Sequence, residues 1–181
     1  MYDYAHLTKS IKADNSPNDR GYGWWTGDTD SGISSARYSP DFLKSYLLHY
    51  CRLCDKTNRQ GTIPVLQALL DIEPENGEVH FMLARQHEMN GDRESAMPSY
   101  ERAAALCPEK PEYTLAAVRA AGYLGDRIKA MSLVNSVISA YPIMPEAWYE
   151  RAIIYEIDEN WNRALQDFDH CHRLDPQNTD Y

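Results

Sequence analysis

Cations are scarce in this chain, long apolar runs are missing, and no compact catalytic motif occurs. Of its 181 residues 27 are acidic and 18 basic, a formal net charge of −9. Residues 145–181 alone carry −6 of that charge. Nucleic-acid binding needs Lys and Arg clusters to meet phosphate, so this balance speaks against DNA and RNA. It speaks equally against an anionic membrane surface. No apolar stretch approaches the ~18 residues that cross a bilayer. Ile11 to Tyr22 is polar and lacks the apolar core of a signal peptide. Asp3, Asp14 and Asp19 offset Lys9, Lys12 and Arg20, unlike a transit peptide. The expected compartment is the cytoplasm. The alternative, with a leader already removed, is an organelle matrix such as the mitochondrial one.

The other shortages are chemical. The cysteines Cys51, Cys54, Cys107 and Cys171 read as reduced thiols in an acidic chain without a secretory signal. Cys51-x-x-Cys54 with His49 nearby lacks the second ligand pair of a structural zinc site, and His170-Cys171-His172 lies far along the chain. Small core residues are the better reading. Asp28-Thr29-Asp30-Ser31-Gly32 starts like a calcium loop, but its glycine is one residue early and Ser39 stands at the final ligand position. Gly21, Gly23 and Gly27 do not have dinucleotide-loop spacing. There is no nucleophile elbow and no H-E-x-x-H, and the six histidines are scattered. No catalytic residue, metal or cofactor is expected.

What the chain does have is a beat. Pro74, Pro108, Pro142 and Pro176 each follow the last by 34 residues. Ala96, Ala130 and Ala164 keep the interval, as do Gly91 and Gly125, and Leu66, Tyr100, Val134 and Phe168. A period of this length marks stacked helical units, each too small to bury its own apolar face. Three units follow at 77–110, 111–144 and 145–178. The first helix of each spans about 13 residues and ends near Gly91, Gly125 or Glu159–Asn160. The second stops before Pro108, Pro142 or Pro176, since proline cannot continue a helix. Residues 41–76 read as a degenerate unit, from the apolar spacing of Phe42, Leu43, Tyr46, Leu47, Tyr50 and Leu53. Pro64 suits the first turn of its second helix. Pro98 sits deeper in a helix and predicts a local kink or a late start.

The third unit carries the clearest resemblance. Trp148, Ala152 and Tyr155, then Ala164 and Phe168, then Pro176 resemble the tetratricopeptide repeat, W-x2-L-G-x2-Y, A-x3-F, P. The leucine of that pattern is Arg151 here. Leu83, Ala84, Gly91, Ala96, Tyr100, Ala103 and Pro108 match in the first unit. In the second the matches are Ala117, Val118, Gly125, Ala130, Val134, Val137 and Pro142. The resemblance implies an all-α, right-handed helical-hairpin solenoid across 77–178.

It also implies a concave groove lined by positions 2, 5, 6, 9, 12 and 13 of each first helix. Those positions bring Phe81, Met82, Arg85 and Met89 from the first unit, and Leu115, Arg119 and Tyr123 from the second. The third brings Tyr149, Ile153 and Ile157. Glu78, Glu88, Glu112, Glu146, Glu150 and Glu156 accompany them, with Ala116 and Gly122. Phe81, Leu115 and Tyr149 share one position and would form a continuous apolar strip. The competing reading is that they pack between helices. The family's clamp for acidic chaperone tails needs Lys, Asn and Arg where this chain has Leu47, Cys51, Ala116 and Glu150, so such tails are not expected partners. An apolar floor suits an amphipathic helix or an aromatic-rich segment.

Residues 1–40 form a different domain, rich in Gly, Ser, Asp and Asn without helical period. Yet they hold Tyr2, Tyr4, Tyr22, Trp24, Trp25 and Tyr38, unlike a simple linker. Trp24 and Trp25 are expected to anchor an extended arm on the array or on a partner. The last helix, with Leu165, Phe168 and Leu174, is expected to leave an apolar edge uncovered. The functional expectation is a non-catalytic protein–protein interaction module, an adaptor or structural subunit of a multiprotein assembly. A chaperone shielding an apolar client segment is the alternative, and an RNA-binding repeat or an enzyme are weaker ones.

Overall fold

The computed structural model describes residues 40–56 and 62–178. The arm with Trp24 and Trp25 lies outside the described residues. Eight helices and no strand occur among those described. They are α1 Pro40–Lys56, α2 Ile63–Ile72, α3 Gly77–Met89, α4 Arg93–Leu106, α5 Pro111–Tyr123, α6 Arg127–Ala140, α7 Pro145–Ile157 and α8 Trp161–Leu174. Each helix packs on the next, and α1 also touches α3 as α5 touches α7. The result is an all-α solenoid of helical hairpins. The odd-numbered helices form one layer and the even-numbered helices the other.

The hairpin turns show why the 34-residue beat exists. Helix α3 ends at Met89 and turns through Asn90 to Gly91, whose φ of 80° few residues with a side chain adopt. Gly91 N–H then donates to Glu88 O at 2.9 Å and Asp92 N–H to His87 O at 2.9 Å. This pair of bonds satisfies carbonyls that the helix end would leave bare. Asp92 at once caps α4, its carboxylate accepting from Ser95 N–H at 3.0 Å. Gly125 (φ 78°) and Asp126 repeat the device between α5 and α6, with Asp126 accepting from Lys129 N–H at 3.1 Å. In the third hairpin the left-handed position is held by Glu159 at φ 55°. Its bonds are the same: Glu159 N–H to Glu156 O and Asn160 N–H to Tyr155 O.

The prolines join one hairpin to the next. Trp148 Nε1 donates to Pro142 O at 2.9 Å, and His80 Nε2 lies 2.9 Å from Pro74 O, both from the fourth position of a unit. In the middle unit that position is Thr114, and Pro108 O instead accepts from Tyr141 Oη at 3.2 Å. Pro64 falls in the first turn of α2, as expected. Pro98 brings no late helix start. Helix α4 begins at Arg93 and runs through it. Both Glu94 and Pro98 are exposed, so the carbonyl that loses its partner can turn to water.

The main core runs from α3 to α7. It centres on Ala84, Ala96, Tyr100, Leu115, Ala117, Val118, Ala130, Val134, Val137 and Ala147. Alanines at the helix crossings allow close approach, and Tyr100 and Val134 fill the space towards the next pair. A second cluster, with Leu47, Cys51, Val65, Leu66, Leu69, Val79 and Met82, joins α1 and α2 to α3.

Candidate functional site

Contacts along the odd-numbered helices align the candidate groove residues. Arg52 of α1 grips Glu78 of α3 through Nε and Nη2, both at 2.6 Å. Phe81 of α3 stacks on Tyr113 of α5 with ring centroids 4.2 Å apart. Arg119 of α5 donates to Glu150 of α7 at 2.7 Å. These links hold the three units in register, so equivalent positions fall in rows.

The fifth-position row is not an open strip. Leu115 is only 2 % exposed, and Met82 from the next position is buried too. Phe81 is half-buried, stacked on Tyr113 and edge-on to Tyr100 at 5.6 Å. Tyr149 is half-buried, edge-on to Phe168 at 5.7 Å. The physical cause is the bulky residue that the partner helix places beneath the fifth position, Tyr100 from α4 and Phe168 from α8. The expectation of a continuous exposed strip through Phe81, Leu115 and Tyr149 is therefore corrected. This row belongs largely to the packing between helices.

The open row is the thirteenth position, at the C-terminal ends of α3, α5 and α7. Met89 is half-buried, Tyr123 is 64 % exposed and Ile157 is 49 % exposed. Burying such residues again would recover about 1.5–3 kcal/mol each. The Arg93 guanidinium lies 4.5 Å over the Tyr123 ring and covers one of its faces. The ninth position flanks this row with Arg85, Arg119 and Ile153. Arg85 and Ile153 are half-buried, and Arg119 is exposed.

Carboxylates frame the surface in two states of exposure. Glu112, Glu146 and Glu156 are exposed. Glu88 accepts from Tyr100 Oη at 2.6 Å. Burial, helped by that carboxylate, pushes the Tyr100 phenol far above its usual range. Glu150 is mostly buried, and burial raises its pKa against the pull of Arg119. Where a chaperone-tail clamp would need polar and cationic groups, Leu47, Cys51 and Ala116 are buried.

Sequence reasoning missed one polar cluster. Arg151, in the leucine position of the motif, donates to Asp167 of α8 through Nε at 2.7 Å and Nη2 at 2.8 Å. Its Nη1 donates to Asn135 of α6 at 3.0 Å, and its guanidinium lies 4.7 Å over the Trp148 ring. Asp167 is buried, and its bond holds Arg151 still more firmly protonated than an ordinary arginine. The signal was the motif departure itself, a charge where the array needs packing. Cys51 is buried in the cluster that joins α1 and α2 to α3, and Cys171 is buried with its thiol donating to Pro145 O at 3.3 Å; burial pushes that thiol up to about 11. Among the described residues no three His, Cys, Asp or Glu side chains gather as a metal site requires. No described helix is long and apolar enough to cross a membrane.

Comparison with known proteins agrees with this geometry. Residues 145–178 match the family model of the tetratricopeptide repeat. The chain is similar in structure to MamA, at 18 % identity and a TM-score of 0.67, over 76 % of this chain and 81 % of that one. It is similar to a tetratricopeptide repeat protein from Parabacteroides merdae ATCC 43184, at 21 % identity and a TM-score of 0.67. That likeness covers 75 % of this chain and 55 % of the other. It is similar also to YrrB, described as a TPR protein with an unusual peptide-binding site. There the identity is 20 % and the TM-score 0.62, over 76 % and 68 % of the two chains. At these identities the likeness is one of fold. No curated protein sequence matches the chain.

Proposed function

We infer that this chain, a tetratricopeptide-repeat solenoid, is a protein-interaction module that takes a partner segment across its odd-numbered helices. The observation that carries the reading is the apolar row at equal register, with Tyr123 and Ile157 exposed, Met89 half-buried and Ile153 beside them. Apolar side chains left open in a row suit an extended or helical segment that places one anchor per repeat. The exposed Glu112, Glu146 and Glu156 favour a segment whose anchors are accompanied by Lys or Arg. A fold shared with a protein described as having a peptide-binding site supports the same class of ligand. The role we propose is that of an adaptor or structural subunit within a multiprotein assembly.

The test is capture of partners by the tagged full chain, read by mass spectrometry beside the Tyr123→Asp/Ile157→Asp double variant. Both side chains are exposed, so helical content should persist while the captured set is lost. Capture of the same set by the variant would refute the reading. A single stable set supports an adaptor or subunit, and many transient clients would favour a chaperone.

A further inference from the structure

The tenth position of each unit is buried, and its occupants differ in kind. Helix α5 places Ala120 there and α7 places Ile154, both closed off from solvent. Helix α3 places Gln86, which is only 1 % exposed. Its Oε1 has no hydrogen-bond partner among the described residues. Its Nε2 donates to the Met89 thioether, with nitrogen and sulfur 3.7 Å apart. Sulfur is a weak acceptor, so neither end of the amide is well served. Turning the amide over leaves the deficit in place, since it sets the carbonyl against the sulfur and bares the N–H. A buried carbonyl without a partner lowers the stability of a fold. The slot itself asks for no polar group, as alanine and isoleucine fill it elsewhere. The position is internal to the array: α1 and α2 precede α3, and α4 to α8 follow it.

Met89 ties this amide to the row on the odd-numbered helices. It is the thirteenth-position residue of α3, in register with the exposed Tyr123 and Ile157. It is half-buried, unbranched and free to turn about three bonds, so its side chain can swing off Gln86 without a backbone change. We propose that Gln86 is a specificity-determining residue of that row, and that it pairs with a side-chain amide, Asn or Gln, of the partner segment once Met89 turns aside. The pairing consists of two hydrogen bonds. The partner's N–H donates to Gln86 Oε1, and Gln86 Nε2 donates to the partner's carbonyl in place of the thioether. Among side chains at neutral pH only a carboxamide carries that donor and acceptor next to each other. A Lys or Arg would have to give up its hydration to reach so deep, against a neutral partner. A purely apolar anchor would leave the carbonyl bare. This rests on the row being the partner site, and it adds the identity of one partner residue beside the anchor seated over α3.

The probe is a random peptide library displayed on phage, selected on the tagged full chain and read by sequencing. The parent chain is expected to select segments with regularly spaced apolar anchors. At one fixed position among them, Asn or Gln should be enriched at least about tenfold. Gln86→Met, which keeps the length of the side chain and removes the amide, should retain the anchors and lose that enrichment. It should also raise the unfolding temperature by about 3 °C, because the bare carbonyl is gone. Gln86→Ala, the residue of the second unit, is the companion variant should the first misfold, and it should lose the same enrichment. Tyr123→Asp, which leaves the amide untouched, should lose the anchors. Anchors without Asn or Gln in the parent's set would overturn the proposal and leave the row standing. Undiminished enrichment with Gln86→Met would overturn it too. So would a fall in unfolding temperature, which would give the amide a structural role in the fold. Selection of no anchored peptide by the parent chain would overturn the row, and the role of Gln86 with it.

Discussion

In the second repeat α5 buries Tyr113, Leu115, Ala116, Ala117, Val118, Ala120 and Ala121, and α6 adds Ala130, Val134, Val137 and Ile138. In the third, α7 buries Ala147, Ala152 and Ile154, and α8 adds Ala164, Asp167 and Cys171. Yet the third repeat has the fuller motif and matches the family model. Its Trp148, Tyr155 and Phe168 are half-buried, and the first two frame the arginine of an ion pair. Where α5 packs Ala117, α7 holds Arg151 against Asp167. Motif strength and apolar content are thus separate properties of a repeat. One reports backbone geometry and the other the source of cohesion.

The contrast can be broken most sharply at Leu115. Truncation to Ala should cost about 3 kcal/mol, within the usual range for a closed core site. Urea unfolding followed by circular dichroism measures it, and a loss below about 1 kcal/mol would mean the second repeat does not carry the core. Asp167→Ala should cost about 2 kcal/mol, because it strands a largely buried guanidinium. Replacing Arg151 and Asp167 together by Leu should recover most of that loss, since an apolar pair of similar volume can substitute for a buried ion pair. No recovery in the double variant would show that the pair does more than fill its place.

A smaller effect is expected at the turns. Glu159→Gly should stabilise the third hairpin by about 0.5 kcal/mol, relief of left-handed strain being partly offset by the freedom glycine adds to the unfolded chain. Gly125→Ala should destabilise the second by about 1 kcal/mol, purely from strain, as no neighbour lies within 4 Å of the added carbon. Equal thermal shifts of one sign would contradict that account.

The smallest difference is in pH dependence. Burial raises the pKa of Glu150 in the folded chain, so the folded state holds that proton more tightly than the unfolded one. The resulting contribution is fullest below the ordinary carboxylate value and is lost as pH rises through the folded value. Glu78 has the opposite sign, because the Arg52 hydrogen bonds lower its pKa. Its contribution is present above the ordinary value and is lost as pH falls through the folded value. Stability profiles of Glu150→Gln and Glu78→Gln should therefore deviate from the parent in opposite directions between pH 3 and about pH 6.

Much of the architecture could be read from spacing. The interval between prolines placed the hairpins, and the first helices of the three repeats, α3, α5 and α7, are 13 residues each, as the glycine positions required. Pro98 left the start of its helix open, because helix continuity depends on whether a lost bond can be replaced by solvent, which local sequence does not state. For the site, repeat position gave the side of the helix but not the depth. Phe81 and Leu115 lie on the expected helices, and their burial is decided by residues distant in sequence on neighbouring helices, such as Tyr100 and Tyr113 around Phe81. The Arg151–Asp167 pair escaped for the same reason, being formed across a hairpin. Trp24 and Trp25 lie outside the described residues.

The hairpin turns carry a mechanical consequence. Asp92 and Asp126 each end the closing bond pattern of one helix and begin the capping of the next. No slack residue separates the two duties. Each turn is thus a fixed-angle joint, and flexing it breaks both terminations together. Bending of the array under load should concentrate instead at the proline junctions between hairpins, where isolated turn bonds such as Met144 N–H to Tyr141 O and side-chain bonds such as Trp148 to Pro142 O span the gap. The array would then deform as a chain of stiff links and change its curvature without melting any helix.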